Sequence, residues 1–372
     1  MKRAQITIKL VAILIGLFIA PCLAQKINTQ KLIPYEQNDK WGFINSKGEI
    51  VIKPQFDEVN PFSEGLARVE INLKNGFIDT SGKFVIEPQY YIAFSFSEGV
   101  AAVSIEPPGT WGYIDHKGNF VIPPKFQWAG NFSEGIAEVL IVPDPAAPNI
   151  DKSSYIDKTG NLIIKDSYDW AELFSDGFAL IAEDKPNSSA YFNRKAFIDR
   201  NGNRVTEFFQ NAESFSEGLA AVEVNSLWGF IDTTGAIVIP PIYDFVLRPF
   251  TEGFAAVNCE NDKSAFIDKT GKKITECMFE EAWAFSEGLA SVQTADKKFG
   301  FINTKGKFVI KPQFDYADSF LNGLAKVRIV KNDWIYEGYI NRQGAYVVKP
   351  MKKKLDFGRK SGLNPGTKHA NC

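Results

Sequence analysis

In residues 219–244, "LAAVEVNSLWGFIDTTGAIVIPPIYD", apolar and polar positions alternate in three short runs, with none of the three- or four-residue spacing of a helix. Ala220, Val222 and Val224 share one face of the first run, Trp228 and Phe230 one face of the second, Ile237 and Ile239 one face of the third. Each run predicts a strand. Asp232 to Gly235 form a short loop between the second and third, where aspartate can accept from turn amides and glycine takes positive φ without a Cβ clash. Pro240 and Pro241 have no N–H for a ladder and are expected to end the third strand.

The pattern is written repeatedly. An aromatic-Ile-Asp/Asn step with a later glycine recurs nine times, from "FINSKG" (43–48) to "YINRQG" (339–344). Phe-Ser-Glu-Gly or a close variant recurs eight times, beginning at Phe62, Phe96, Phe132, Phe174, Phe215, Phe250, Phe285 and Phe320, and is expected to turn the chain into the next repeat. An aromatic follows the turn glycine by eight residues in seven of the nine copies. The distance from the second motif to the next turn glycine instead varies from 20 to 28. One half of the unit is rigid and the other absorbs insertions, as a hairpin with its tip in solvent would. The expected architecture is all-β: nine three-stranded meanders, each too small to bury its apolar face alone, stacked into an elongated superhelix or solenoid. A closed β-propeller is the alternative. Nine repeats exceed its usual size of roughly 4–8 blades, and three strands fall below the usual roughly four.

The Trp-Gly-Phe/Tyr-Ile-Asp step, the Ile-Pro-Pro-x-Phe/Tyr stretch and the Phe-Ser-Glu-Gly-Leu-Ala turn together resemble the bacterial WG-repeat (KWG-repeat) family over residues 30–350. Trp-Gly is complete at Trp41-Gly42, Trp111-Gly112 and Trp228-Gly229. It reads Asn75-Gly76, Phe299-Gly300 and Glu337-Gly338 elsewhere, and the pair is lost at Ser154, Ala196 and Ala265. The resemblance implies a secreted or envelope β-repeat protein of bacterial type. It implies no activity, because the repeat and not a reaction defines the family.

The two ends add an address. Lys2, Arg3 and Lys9, the apolar run 10–20 and the small residues before Gln25 read as a secretory signal peptide, residues 1–24, cleaved after Ala24. The run is short of the ~20 residues a membrane span needs. The expected location is therefore secreted or periplasmic, with no span after cleavage. Residues 25–350 carry the repeats. Residues 351–372, with Lys352, Lys353, Lys354, Arg359 and Lys360 among Gly, Asn and Pro, read as a disordered basic tail. The chain has 42 Lys/Arg against 44 Asp/Glu, and losing three basic residues with the leader moves the net charge from −2 to about −5. That balance argues against nucleic acid, whose binding rests on neutralised phosphates.

Chemistry is sparse. Columns of acids, Asp79 to Asp268 after the aromatic-Ile step and Glu64 to Glu287 in the second motif, would serve a glycosidase as pairs ~5–10 Å apart. The favoured reading is turn chemistry, because Asn stands in the first column at 45, 303 and 341 and Asn322 in the second. His116 and His369 lack ligand spacing to any Cys or His, so no metal, cofactor or catalytic residue is expected. Cys259 and Cys277 lie in one repeat, and a bridge between them is left open. Two departures from the repeat mark candidate binding residues. One is the tryptophan pair Trp128 and Trp170, ten residues after successive turn glycines. The other is the pair of long loops 141–154 and 183–195, the second bearing Tyr191 and Phe192. The expected function is a non-catalytic protein-binding or scaffold module for an envelope or extracellular protein. The alternative is a glycan-binding or polysaccharide-active protein using surface aromatic residues.

Overall fold

The computed structural model describes residues 31–106, 109–141, 152–183, 194–259 and 262–354. These residues form nine antiparallel sheets in chain order and no α-helix. The sheets are blades 1 (33–56), 2 (58–90), 3 (92–126), 4 (128–168), 5 (170–209), 6 (211–243), 7 (245–279), 8 (281–314) and 9 (316–354). Six have four strands, and blades 1, 5 and 7 have three. The strand missing from a three-stranded description is a two-residue one, such as Trp128–Ala129, directly after the last strand of the preceding blade. It is too short to show a period in sequence.

The apolar cores lie between blades. Tyr113, Ile122 and Phe126 of blade 3, for example, bury with Ala129, Phe132 and Val139 of blade 4. Sandwiching each sheet on both sides explains why Leu219–Val222 is buried at every position, where period-two alternation predicts one covered face. The last joint joins blade 9 to blade 1. Leu324 and Tyr339 cluster with Ile33, Tyr35 and Ile44, the Tyr339 hydroxyl donates to Pro34 O at 3.0 Å, and Lys353 Nζ reaches Glu36 at 2.7 Å. The array therefore closes into a nine-bladed β-propeller, the second of the two architectures expected, and does not run on as an open superhelix.

Each residue of Phe-Ser-Glu-Gly has a task at a joint, within the hairpin that links a blade's first two strands. The phenylalanine packs on the aromatic of the preceding blade, as Phe62 does on Phe43, with centroids 4.7–5.0 Å apart at the eight joints from blades 1–2 to blades 8–9. The serine hydroxyl donates to the next phenylalanine's carbonyl, Ser63 to Phe96 at 2.7 Å. The glutamate carboxylate accepts from the next glycine's N–H, Glu64 from Gly99 at 3.0 Å. Glu64 (φ 51°) and Gly65 (φ 84°) are both left-handed, the type I′ geometry that matches strand twist.

The glycine of Trp-Gly has a different reason. Between Trp228 and Phe230 the partner strand advances from Tyr243 to Ile239, so the Pro240-Pro241 segment bulges over Gly229. A Cβ on Gly229 would lie 2.6 Å from Ile239 O and 2.7 Å from Pro241 N. The prolines thus bend the strand without ending it, and it continues to Tyr243. Blades 5 and 7, which carry Ala196 and Ala265 here, have lost the regular fourth strand. In them Thr206 and Thr275 hydroxyls accept the N–H of Phe197 and Phe266 that a ladder would otherwise take. Blade 4 keeps its strand over Ser154, where the opposing Lys165–Ser167 contains no proline.

Residues 351–354, expected to open the basic tail, belong instead to a strand. Tyr346–Lys354 is the last strand of blade 9, with Lys353 held between Glu36 and Glu337 and Lys352 Nζ 3.6 Å from the Trp334 ring centroid. These lysines are engaged because acids and an indole face them across strands, which a compositional reading does not see.

Candidate functional site

Trp128 and Trp170 open the first strands of blades 4 and 5 at the same register, opposite Leu140 and Ala182. One residue past each partner the second strand ends, at Ile141 and Glu183, and the sheet resumes at Lys152 and Arg194. Both features singled out in the sequence thus meet at one rim, the indoles at the feet of the two insertions. Tyr191 and Phe192 lie outside the described residues, within the second insertion.

Both rings are half-buried. Trp128 covers Gly130 and turns an edge to Phe94 of blade 3, centroids 6.4 Å apart. Trp170 packs with Leu180, Phe197, Ala212 and Phe215, and Lys195 Nζ sits 5.4 Å from its centroid. Burial lowers the Lys195 pKa, opposed by Glu172, Glu213 and Glu223. Lys152 pairs with Asp169 and Arg194 with Glu183, so each insertion is flanked by an ion pair at its base.

Beneath this rim lies a residue the motif reading missed. Glu138, 5 % exposed, accepts from the Ser153 hydroxyl at 2.6 Å. Its cross-strand neighbour Tyr155 donates to Glu172 O at 2.6 Å, and the Glu172 carboxylate accepts from Ser214. Burial pushes the Glu138 pKa up to about 8, with Glu172 adding to the rise and the Ser153 hydrogen bond opposing it. Aligning the repeats would have flagged it: the column holds Ala102, Leu180, Ala221 and Ala256, broken by Arg68, Glu138, Ser291 and Lys326. Lys326 lies 5.7 Å from the Trp41 centroid across the 9–1 joint.

The acidic columns are occupied locally. Asp232 Oδ1 accepts from Thr234 N, Thr234 Oγ1 and Ala236 N at 2.9, 2.6 and 3.2 Å, and Asn303 makes the same two backbone contacts. Glu64, Glu98, Glu134 and Glu217 each accept from the next blade's glycine and pair with His116, Lys158, Arg200 and Lys269. Among the described residues no cluster of three or more His, Cys, Asp or Glu has metal-binding geometry. Cys259 and Cys277 are disulfide-bonded with Cα atoms 6.0 Å apart. The bond ties the fourth segment of blade 7 to its second strand, in one of the blades whose ladder is lost.

The model of the WG containing repeat matches residues 41–74, 76–106, 111–141, 154–185, 196–228, 228–263, 265–297 and 299–333. The chain belongs to the WG-repeat family. Each matched segment starts on the Trp-Gly strand of one blade and ends near the hairpin tip of the next, so the WG repeat is a blade-to-blade joint, and eight joints span nine blades. No curated protein matches this WG-repeat chain. Among solved structures it is similar to BamB from Moraxella catarrhalis, at 12 % identity over 85 % of this chain and 92 % of that one, with a TM-score of 0.38. Saccharomyces cerevisiae Sqt1 shares 8 % identity over 78 % and 93 %, TM-score 0.38. The dihydro-heme d1 dehydrogenase NirN shares 12 % over 87 % and 74 %, TM-score 0.42.

Proposed function

We propose that this WG-repeat protein is a non-catalytic protein-binding propeller of the periplasm or cell exterior, recognising its partner through the rim of blades 4 and 5. The observation that carries the reading is the meeting there of two inserted hairpins in successive blades with Trp128 and Trp170 at their feet. A rigid scaffold that confines variation to one rim is the arrangement loops use for recognition. Prolines 143, 145, 148 and 186 lower the ordering entropy of the insertions on binding, and Tyr191 and Phe192 supply apolar anchors. The leader sequence and the Cys259–Cys277 disulfide support an oxidising compartment. Among the described residues no helix is long and apolar enough to cross a membrane.

The test shortens 142–151 and 184–193 to the length of the Asn225-Ser226 tip and compares cross-linked partners in the native envelope fraction. Lost capture at unchanged melting temperature supports the proposal, and unchanged capture sinks it. Retention on polysaccharide that disappears in Trp128→Ala and Trp170→Ala would instead establish the glycan-binding alternative.

A further inference from the structure

Four of the seven tryptophans carry a cation of this chain over the ring. Lys326 lies 5.7 Å from the Trp41 centroid, Lys195 5.4 Å from Trp170, Arg248 4.5 Å from Trp283 and Lys352 3.6 Å from Trp334. Trp111 and Trp228 are buried, at 6 % and 3 % exposed. Trp128 is the exception. It is half-buried, and among the described residues no Lys or Arg stands over its ring or over Phe94 and Trp111 beside it.

The joint between blades 8 and 9 shows what is missing. Its aromatic residues occupy the same registers: Phe299 for Trp111, Trp283 for Phe94 and Tyr316 for Trp128. There Arg248 covers Trp283 and Arg328 covers Tyr316, the guanidinium carbons 4.5 and 5.0 Å from the centroids. Arg328 stands directly opposite Tyr316 on the neighbouring strand, whereas the residue opposite Trp128 is Leu140. Arg248 comes from the blade before, and in blade 2 its register holds Asn60, which donates to Ser95. Phe94 still packs 5.2 Å from Trp111 and 6.4 Å from Trp128, so the rings are assembled without either cation.

The sequence around them carries the opposite charge. The hairpin segments that leave blades 3 and 4, residues 105–110 and 142–151, contain Glu106, Asp144 and Asp151 and no Lys or Arg. Lys152, which follows the second, is held by Asp169. A guanidinium suits this setting, being planar and weakly hydrated, and an indole offers the strongest cation-binding face among the aromatic side chains.

We propose that Trp128, backed by Phe94 and Trp111, receives an arginine side chain of the partner protein, in the place that Arg328 takes at the equivalent joint. The proposal rests on the binding-rim reading and names the chemistry of the partner at that rim.

The probe is N-acetyl-arginine amide, with its uncharged isostere N-acetyl-citrulline amide as control, titrated into the full chain labelled with fluorotryptophan. Trp128→Phe assigns the resonance. The Trp128 signal should move saturably with arginine, at an affinity about fivefold or more above that for citrulline. Leu140→Arg, which supplies the chain's own cation, should abolish the shift, and Leu140→Met should keep it. Phe94→Leu, which retains an apolar contact, should weaken arginine binding and leave citrulline unchanged, and it replaces Leu140→Arg if that variant does not fold. Equal affinity for the two probes, or an unmoved Trp128 signal, would overturn the proposal. So would an oligosaccharide that moves Trp128 where arginine does not, which assigns the ring to glycan. Partner capture lost on shortening the insertions but undiminished in Trp128→Leu would also overturn the arginine seat, while leaving the rim reading in place.

Discussion

Gly229→Ala isolates the residue that gives the Trp-Gly repeat its character. The added Cβ would meet Ile239 O, Pro241 N and Pro240 C at 2.6, 2.7 and 2.8 Å. All three are backbone atoms of a proline-stiffened bulge, so no side chain can swing aside, and ordinary carbon contacts need about 3.5–4.0 Å. The available relief is the one already present in blades 5 and 7, where alanine stands at this position and the outer segment has left the ladder. For blade 6 that release would give up two or three ladder hydrogen bonds at about 1 kcal/mol each. It would also give up part of the burial of Ile239, at about 1–2 kcal/mol. The expected loss is about 3–5 kcal/mol. Urea denaturation measures the total, and hydrogen exchange of Ile237–Tyr243 should report most of it locally. Ala265→Gly is the control and should change stability by only about 0.5–1 kcal/mol, the entropic cost of glycine. A Gly229→Ala variant with wild-type denaturation and wild-type exchange in the outer strand would refute the steric account.

Glu138 has its folded pKa raised from 4.5 to about 8, so the native state binds the extra proton and wild-type stability falls as pH rises through that window. Glu138→Gln should match wild type near pH 4.5 and exceed it by up to about 3 kcal/mol at pH 7; parallel melting curves between pH 5 and 9 would exclude the effect. Replacing both Cys259 and Cys277 by Ser opens an 18-residue link and should cost about 3 kcal/mol, matched by reducing the wild type, as read by urea denaturation. Asp268→Asn should leave the melting temperature in place because Asn303 makes the same turn contacts, whereas Asp268→Ala should lower it; equal melting of the two would contradict the capping role.

Much of the candidate site was legible because it departs from a repeat. Trp128, Trp170 and the insertions stand out against the other copies, and the structure puts the indoles at the insertions' feet. Glu138 was visible only as one of four polar residues, with Arg68, Ser291 and Lys326, in a column that is otherwise apolar, and its environment was not, since Ser153, Tyr155, Glu172 and Ser214 come from three blades.

The repeat itself determined the strands, the aspartate and glycine turns, and a stacked all-β array, because these depend on contacts within some ten residues. Tertiary structure decided whether the array closes. A ring of nine requires a turn of roughly 40° at each joint, and a small change repeated at every joint would open it into a helix. That angle is set by side chains packed between sheets, as Phe132 against Tyr113 and Tyr339 against Tyr35, and no local pattern encodes it. The same holds for the two-residue strands, for the proline bulges that cross a glycine without ending the sheet, and for Lys353. Each exists only because a neighbouring strand or blade supplies its partner.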